Sequence, residues 1–325
     1  MRRGRESLSR SSRVDALRKV SYLGLPNCLR LSNGTVEVVV TTDVGPRVVR
    51  YGFVGSENVL GECPEASVRT EWGEWKPWGG HRLWTAPEAS PRSYAPDNEA
   101  VAAEAESERG VRLTPPVERR AGVQKELTVT LDPSGGGVTL LHRVTNRGAW
   151  RIEAAAWALT IMRGGGEAVI PQEPYGPHPQ SLLPSRPLVL WPYTDMSDSR
   201  LRFGPKLVRV RSDASAPEPQ KLGVLNKQGW AAYVLGETLF VKRFGYEEGA
   251  RYPDYGCNNE VFTAGSFMEV ESLSGLRELE PGEAVEHVER WSLVGGFAAG
   301  DAEDDLDAAV RARLGPDGGA PGSLT

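Results

Sequence analysis

Two glutamates in the C-terminal part of the chain have the spacing that acid–base chemistry requires. Residues 267–273 (FMEVESL) alternate as a β-strand does, which puts Phe267, Glu269 and Glu271 on one face. Repulsion between two such carboxylates raises the pKa of one and leaves the other ionised, so the pair can transfer protons to and from a polar substrate. The commoner setting of this pattern is a solvated outer face, and spacing alone leaves both interpretations open.

A tryptophan-rich segment, residues 62–98, offers the apolar surface that such a site would need. Flat rings beside charged groups suit a sugar, because its C–H faces stack on aromatics while its hydroxyls require polar partners. The alternative, that these rings plug one end of a barrel or sandwich, is equally open. The segment reads as a long functional loop, and its tryptophans are Trp72, Trp75, Trp78 and Trp84.

Composition narrows the class of protein. A chain of 325 residues is long enough for two ordinary domains or one large β domain. A formal charge of −5 argues against nucleic acid or an anionic membrane as the main partner. No apolar run approaches the roughly 20 residues of a spanning helix, and the basic N-terminus lacks the apolar stretch of a secretory signal. The cysteines are scattered and odd in number, which predicts a reduced, cytoplasmic setting: Cys28, Cys63 and Cys257.

Sequence motifs for metals and nucleotides do not occur in the chain. Its histidines never form an H-x-H or H-x-x-x-H pair, so a dedicated zinc site is not predicted. Neither GxGxxG before a helix nor GxxxxGK[ST] is found. We therefore expect a protein that works without a metal or cofactor. The histidines are His81, His142, His178 and His287.

The pattern of the whole chain is almost entirely β. Residues 1–20 are basic and rich in serine, which predicts a disordered tail. Residues 21–297 read as short strands with turn signals every ~8–15 residues; 151–163, ambiguous by composition, is taken as a strand because it follows two paired strands. Residues 298–325 predict a short surface helix and a flexible tail. The predicted fold is one large antiparallel β-sandwich.

Several of these segments together resemble the galactose-mutarotase-like superfamily, over residues 21–296. The matching pieces are the GGHRLW loop at 79–84, a central strand ending in Thr145-Asn146, the strand with two glutamates, the LEPGE turn at 279–283 and the strand at 287–293. The resemblance implies a β supersandwich whose concave sheet cups a sugar. Members that interconvert aldose anomers use a glutamate as general base on the C1 hydroxyl and a histidine as general acid on the ring oxygen.

On this resemblance, Glu271 matches the catalytic glutamate and Glu269 is its neighbour. Epimerases of the superfamily carry an Asn-His-x-Tyr-Phe-Asn motif on the strand after the central one. The corresponding stretch here, residues 156–160 (AWALT), contains no histidine. An acid would have to come from another part of the chain.

The first choice for that acid is His81 and the second is His178, because an imidazole titrates near neutral pH. Lys242 is a third choice if burial lowers its pKa. Each of the three is more often a plain polar contact than a catalyst.

The remaining predicted contacts are with a small-molecule carbohydrate. Arg82 would hold hydroxyls, Trp84 or Trp78 would stack on the ring, and Tyr175 lies in the same proline-rich loop as His178. Two functions fit these residues: an aldose mutarotase or epimerase, and a sugar-binding protein of the same fold without turnover.

Overall fold

The computed structural model describes residues 17–314, and nearly all regular structure in this range is β. The first nine strands are β1 (Leu17–Tyr22), β2 (Leu25–Ser32), β3 (Val36–Val40), β4 (Val48–Phe53), β5 (Glu62–Cys63), β6 (Val68–Thr70), β7 (Gly73–Trp75), β8 (Trp78–Gly79) and β9 (His81–Ala86). The next nine are β10 (Ala102–Ser107), β11 (Gly110–Thr114), β12 (Val123–Leu131), β13 (Val138–Asn146), β14 (Ile152–Met162), β15 (Glu167–Pro171), β16 (Leu188–Leu190), β17 (Leu201–Phe203) and β18 (Leu207–Arg211). The last are β19 (Gln220–Val224), β20 (Trp230–Leu235), β21 (Thr238–Phe244), β22 (Asn259–Ala264), β23 (Phe267–Leu273), β24 (Arg277–Leu279) and β25 (Ala284–Gly295).

Two large antiparallel sheets form the sandwich. The first has the order β1-β2-β3-β4-β9-β14-β23-β22-β19-β16, with β24 also paired to β14. The second has the order β10-β11-β12-β13-β25-β21-β20-β15-β18-β17. Apolar residues from both sheets share one buried core, in which Val270 of β23 lies with Phe240 and Trp291 of the second sheet. The antiparallel sandwich predicted from the sequence is confirmed.

Two short helical elements occur in the described part of the chain, one between β21 and β22 and one after β25. The turn α1 (Pro253–Gly256) contains two non-glycine residues with positive φ, Asp254 and Tyr255, so it is irregular. The helix α2 (Glu303–Arg311) lies within the segment where the sequence predicts a C-terminal helix, and it buries Leu306 and Val310 against the second sheet. Within residues 17–314, none of the helices has the length and apolar character needed to cross a bilayer.

Two predictions about the ends and the tryptophan-rich segment need correction. Residues 17–20, assigned to a disordered tail, belong to β1; residues 1–16 and 315–325 lie outside the described range. The segment 62–98, read as one long loop, contains β9, a fully buried central strand between β4 and β14. Its HRLWTA sequence has no polar–apolar alternation, because both faces of β9 are covered and both carry polar side chains.

Candidate functional site

A cavity of about 320 Å³ lies over the face of the first sheet that points away from the second sheet. Residues at odd positions of β23 reach this cavity, whereas Met268 and Val270, at even positions, pack in the core between the sheets. We call the cavity the cup. It is lined by Val68, Trp75, Pro77, Arg82, Trp84, Glu88, Tyr94, Trp157, Leu159, Tyr193, Lys221, Phe262, Phe267, Glu269 and Glu271.

The strand register places residues from distant parts of the chain in one row across the floor of the cup. Arg82 is opposite Leu159, which is opposite Glu271, which is opposite Glu260. Directly opposite side chains in a sheet have neighbouring Cβ atoms. The acidic strand near the C-terminus and the segment that follows the tryptophans therefore meet in one site.

Arg82 holds one edge of the cup. Its Nη2 atom lies 2.9 Å from Glu269 Oε1, and both side chains are largely buried. The guanidinium carbon lies 4.5 Å from the ring centroid of Trp84 and 5.1 Å from that of Trp75. The faces of these indoles therefore support the guanidinium by cation–π contact. Trp84 lines the cup, where its ring packs against the guanidinium of Arg82.

Lys221, from β19, holds the opposite edge. Its Nζ atom lies 2.8 Å from Glu260 Oε2 and 3.3 Å from Glu271 Oε2. It also lies between two indole rings, 4.7 Å from the centroid of Trp157 and 4.6 Å from that of Trp191. The Nε1 atom of Trp157 donates a hydrogen bond of 2.7 Å to Glu271 Oε2. Glu271 is thus fixed through one oxygen by two donors.

Burial shifts the acid–base behaviour of these groups. The pKa of Glu269 is raised by burial, which the nearby Arg82 partly offsets and the charge of Glu271 reinforces. Burial raises the pKa of Glu260 well above its usual range, against the opposing effect of Lys221. Burial lowers the pKa of Lys221, but the attraction of Glu271 and Glu260 outweighs it and the net shift is upward. Burial also raises the pKa of Tyr193 to about 12.

Buried polar atoms in and beside the floor of the cup have no hydrogen-bond partner among residues 17–314: Arg82 Nε and Nη1, Glu269 Oε1 and Glu271 Oε1 in the lining, and Glu260 Oε1 and Oε2 on the neighbouring strand β22. The charge contacts of Arg82 and Lys221 with these oxygens are close but are not aligned as hydrogen bonds. Buried polar groups are almost always hydrogen-bonded in proteins, and an unpaired one is costly. A polar ligand in the cup would supply these partners.

The candidate acid His81 does not reach the cup. It is the neighbour of Arg82 on β9, so its side chain points to the opposite face of the sheet, where it is fully buried. Lys242 is also fully buried between the sheets, where its ammonium contacts Thr160 and Glu289. Burial lowers the pKa of Lys242, which was the condition set for its candidacy, but the group lies on the opposite side of the sheet from the cup.

Three further candidates lie away from the cup. His178 and Tyr175 lie in the loop before β16, where both are exposed and neither lines the cavity. Trp78 adopts a positive φ and packs against an apolar cluster of β2 to β4 that includes Val39 and Val49. The proline-rich loop therefore belongs to the surface, and Trp78 has the packing role that was the alternative interpretation.

His81 belongs instead to a closed network, here called the inner network, between the sheets. Its members are all buried: His81, His142, Thr160, Lys242, Ser272, His287 and Glu289. Lys242 Nζ lies 2.9 Å from Glu289 Oε1, and Ser272 donates to the same carboxylate at 2.5 Å. Trp291 Nε1 donates to its other oxygen at 2.8 Å. Burial acts to raise the pKa of Glu289, but the charge of Lys242, with smaller effects of His81, His142 and His287, holds it well below its usual range.

The proton positions in the inner network follow from one carbonyl group. His142 Nδ1 lies 2.9 Å from the carbonyl oxygen of His287, which can only accept, so Nδ1 carries the proton. Burial lowers the pKa of His142, so its Nε2 is a free acceptor for the N–H of His81 at 2.7 Å. His81 Nδ1 then accepts from the Thr160 hydroxyl at 2.8 Å, which accepts from Lys242 at 2.6 Å.

The ligand atoms of His81, His142 and Glu289 lie within 4.8 Å of one another, a spacing that could hold a metal ion. The chemistry of the set argues against this role. The ammonium of Lys242 already neutralises Glu289 and would repel a second cation. Both ring nitrogens of His81 already have partners, Nε2 with His142 and Nδ1 with the Thr160 hydroxyl. The residues are better suited to their hydrogen bonds than to a metal.

Sequence reasoning missed Trp157 and Lys221, which line the cup, and Glu260, which lies next to it; Trp75 was named only as one tryptophan of its segment. Trp157 was available in the AWALT stretch, where the search was for a histidine. Lys221 and Glu260 lie on strands that were not recognised, because 220–224 (QKLGV) and 259–264 (NEVFTA) are short and partly polar. A buried glutamate or lysine breaks the polar–apolar alternation that marks a strand in sequence. Such a strand can be recognised only if the outer face of the sheet is known to be covered.

Comparison with other proteins was made for both sequence and structure. No protein-family model and no curated protein sequence matches the chain. Among solved structures, it resembles a galactose mutarotase-like protein from Clostridium acetobutylicum, with 12% identity, a TM-score of 0.51 and 86% of this chain and 98% of that one covered. It also resembles a candidate aldose 1-epimerase from Klebsiella pneumoniae, with 11% identity, a TM-score of 0.55 and coverages of 92% and 85%.

A third similar structure is a TPR-domain containing protein from Parabacteroides distasonis, with 14% identity and a TM-score of 0.59. It matches 85% of this chain, which spans 49% of that larger protein. At such identities the likeness shows the fold and leaves the activity open. The chain has the galactose-mutarotase-like fold, as its sequence motifs indicated.

Proposed function

We propose that the cup binds a sugar and that the protein interconverts the anomers of an aldose. The observation that carries this proposal is the meeting of Glu269, Glu271 and Arg82 in one cavity with aromatic walls. The volume of about 320 Å³ suits a ligand of monosaccharide size. Names of similar proteins, a galactose mutarotase-like protein and a candidate aldose 1-epimerase, agree with this substrate class.

The cup offers both kinds of surface that a sugar requires. Phe262, Phe267 and Tyr193 line its more open side, where their rings can contact C–H faces. Arg82 and the two glutamates offer unpartnered polar atoms to hydroxyl groups. Hydroxyl recognition of this kind is specific, because a ligand that lacks the hydroxyl leaves buried polar groups unpaired.

In the proposed reaction, Glu271 is the general base. Its Oε2 is fixed by Trp157 and Lys221, and its Oε1 has no partner within residues 17–314. That oxygen would accept the proton of the C1 hydroxyl as the ring opens to the free aldehyde. Rotation about the C1–C2 bond, followed by closure, gives the other anomer.

A second candidate function is sugar binding without turnover. One observation favours it: of the histidines, all within residues 17–314, none lines the cup. The histidine acid of the resembling epimerases therefore has no counterpart at the site. A reduced, cytoplasmic location belongs to either version of the proposal and is supported by three free cysteines.

The test is anomer equilibration of freshly dissolved α-glucose and α-galactose, followed by polarimetry or NMR at neutral pH. We expect the protein to accelerate the approach to equilibrium well above the buffer rate. His178→Ala, which alters an exposed loop residue away from the cup, is the matched control and should keep the wild-type rate. Calorimetric binding of these sugars without acceleration would select the non-catalytic alternative, and no binding of either would reject both.

A further inference from the structure

We propose that Glu269 is the general acid of this cup, so that a glutamic acid and a glutamate perform the anomer exchange between them. The inference rests on the proposed function and assigns the proton donor that the missing histidine leaves open. It concerns the two carboxyl groups on the face of β23 that lines the cup. Each lines the cup, and each has a buried Oε1 atom with no hydrogen-bond partner in the described part of the chain.

The reaction needs an acid and a base that are close together. The C1 hydroxyl oxygen and the ring oxygen are bonded to the same carbon, so their proton partners must reach neighbouring atoms. Glu269 and Glu271 are two residues apart on one strand face, with Cα atoms about 6.6 Å apart. Long, flexible carboxylate side chains can converge from this spacing on the two oxygens of one anomeric centre.

The cations and phenols that line the cup hold their protons too tightly to act as the acid, and burial raises the pKa of Tyr94 among them. The remaining lining carboxyl, Glu88, is exposed and already accepts a hydrogen bond from the Tyr94 hydroxyl. Arg82 is a guanidinium, which does not deprotonate in proteins. The net shift of the Lys221 pKa is upward, and burial raises the pKa of Tyr193 to about 12. For Glu269, burial shifts the pKa upward on balance, so this carboxyl group holds a proton more readily than an ordinary glutamate and can still release it.

The two carboxyl groups have different surroundings, which suits different protonation states. Glu271 receives two donors, the indole N–H of Trp157 at 2.7 Å and the ammonium of Lys221 at 3.3 Å, as a carboxylate requires. Glu269 receives no aligned hydrogen bond, although Arg82 Nη2 lies 2.9 Å away. This contact becomes an ion pair once Glu269 has given up its proton, so Arg82 stabilises the product of proton transfer.

The proton balance is closed without any co-reactant. Glu271 takes the proton from the C1 hydroxyl, the C1–O bond to the ring oxygen breaks as the C1=O bond forms, and Glu269 gives its proton to the ring oxygen. After rotation, the ring hydroxyl attacks the aldehyde and returns its proton to Glu269, while the carbonyl oxygen recovers the proton from Glu271. The enzyme ends in its starting state.

The experiment compares Glu269→Gln and Glu271→Gln with the wild-type protein, using polarimetric rates from which the buffer rate is subtracted, across pH 5 to 9. We expect Glu269→Gln to lose at least ~100-fold in rate. It should also lose the alkaline decline of the pH profile, which reports the deprotonation of the acid. Glu271→Gln should lose the rate as well, because the amide cannot accept the proton of the C1 hydroxyl. Glu286→Gln, an exposed glutamate on the second sheet, is the matched control and should leave rate and profile unchanged.

The outcomes separate the inference from the function on which it rests. If the wild-type protein does not accelerate equilibration, the proposed function fails and this inference fails with it. If the wild-type protein is active and Glu269→Gln keeps its rate and its alkaline decline, the function stands and the inference is overturned. If Glu269→Gln does not fold, as judged by circular dichroism, Glu269→Asp decides. It should shift the alkaline decline, and an unmoved decline overturns the inference.

Discussion

The two faces of β9, β14 and β23 both carry buried polar residues, but the hydrogen bonding of these residues differs between the faces. On the cup side, Arg82, Glu269 and Glu271 have close charge contacts but leave buried atoms unpaired. On the inner side, His81 and Lys242 belong to a network in which one proton donor follows another. Alternation along each strand separates these sets by one residue.

The difference teaches that burial and charge alone do not identify a functional site. Both sets are buried and both contain shifted pKa values, yet only the cup set has polar atoms that remain unpaired among residues 17–314. A satisfied polar network makes one arrangement of a core rigid, whereas an unsatisfied one offers its free atoms to a ligand. The comparison can be tested by changes that should affect one face and spare the other.

The largest effect is expected from acid, which acts on the whole inner network. Burial lowers the pKa of His287 to about 3, and those of His81 and His142 also lie below 6.5. Between these values and 6.5, the unfolded chain binds more protons than the folded one, so stability falls as pH falls. The depressed pKa of Glu289 acts in the same direction at lower pH. Urea midpoints should therefore drop steeply below pH ~4.5.

The cup carboxyls oppose this trend in a higher range of pH. Because the pKa values of Glu260 and Glu269 are raised above 4.5, the folded protein binds more protons than the unfolded chain between 4.5 and those values. Their contribution is present at low pH and is lost as pH rises. Glu260→Gln removes part of it, so that variant should begin to lose stability nearer pH 6.5. Equal urea midpoints for the wild type and Glu260→Gln at every pH would contradict a raised pKa of Glu260.

The next largest effect is expected for Lys242→Met, a change confined to the inner network. It leaves the Glu289 carboxylate buried without its cation, and breaking a buried pair in this way costs about 3–5 kcal/mol in the free energy of unfolding. Denaturant unfolding measures this loss. The double variant Lys242→Met with Glu289→Gln should recover part of it, and a loss below 1 kcal/mol in the single variant would show that the pair is not essential.

A smaller effect is expected for His81→Leu, which separates stability from turnover. The change leaves His142 Nε2 without its donor, and an unsatisfied buried group costs about 1–3 kcal/mol. Because His81 faces away from the cup, the rate of anomer exchange per folded molecule should stay within about twofold of wild type. His178→Leu, in the exposed loop, should change neither quantity. A tenfold loss of rate with normal stability would restore His81 as the acid.

The smallest effect is expected from the charge of the ligand. The two cations that line the cup are already close to carboxyl groups, Arg82 to Glu269 and Lys221 to Glu260 and Glu271. A phosphate group would meet repulsion that these cations do not relieve. Glucose should bind at least ~10-fold more tightly than glucose 6-phosphate, a difference of about 1.4 kcal/mol in binding free energy. Added salt should reduce this difference in affinity, because it screens the repulsion. Tighter binding of the phosphate would contradict this account.

The sequence was sufficient for the fold and for the acidic strand. The alternation of 267–273 predicted β23 and which of its side chains share a face, and the structure places Glu269 and Glu271 on the same face with Phe267. Local signals are enough here because a strand with period 2 and a Pro-Gly turn after it specify their own conformation. The strand at 152–162 was also identified correctly, from its position after two paired strands.

The sequence was not sufficient to assign the faces of β9. A histidine beside an arginine gives no local signal of which side chain points outward, since both faces of this strand are covered. Only the pairing of Arg82 with Leu159, and so with Glu271, decides it. Lys221 was missed for a related reason, because its strand lies at the far side of the sheet and its alternation includes a buried cation.

The pair of glycines at the start of β9 has a consequence for how this protein can change. Gly79 and Gly80 both have positive φ, and a side chain at Gly80 would collide with the backbone of Val48. The strand thus begins at a fixed point. Insertions upstream of this point can lengthen the aromatic loop without shifting the side chains of β9. One residue added just after it would reverse the faces of the strand, so that the imidazole of His81 would face the cup in place of the guanidinium of Arg82.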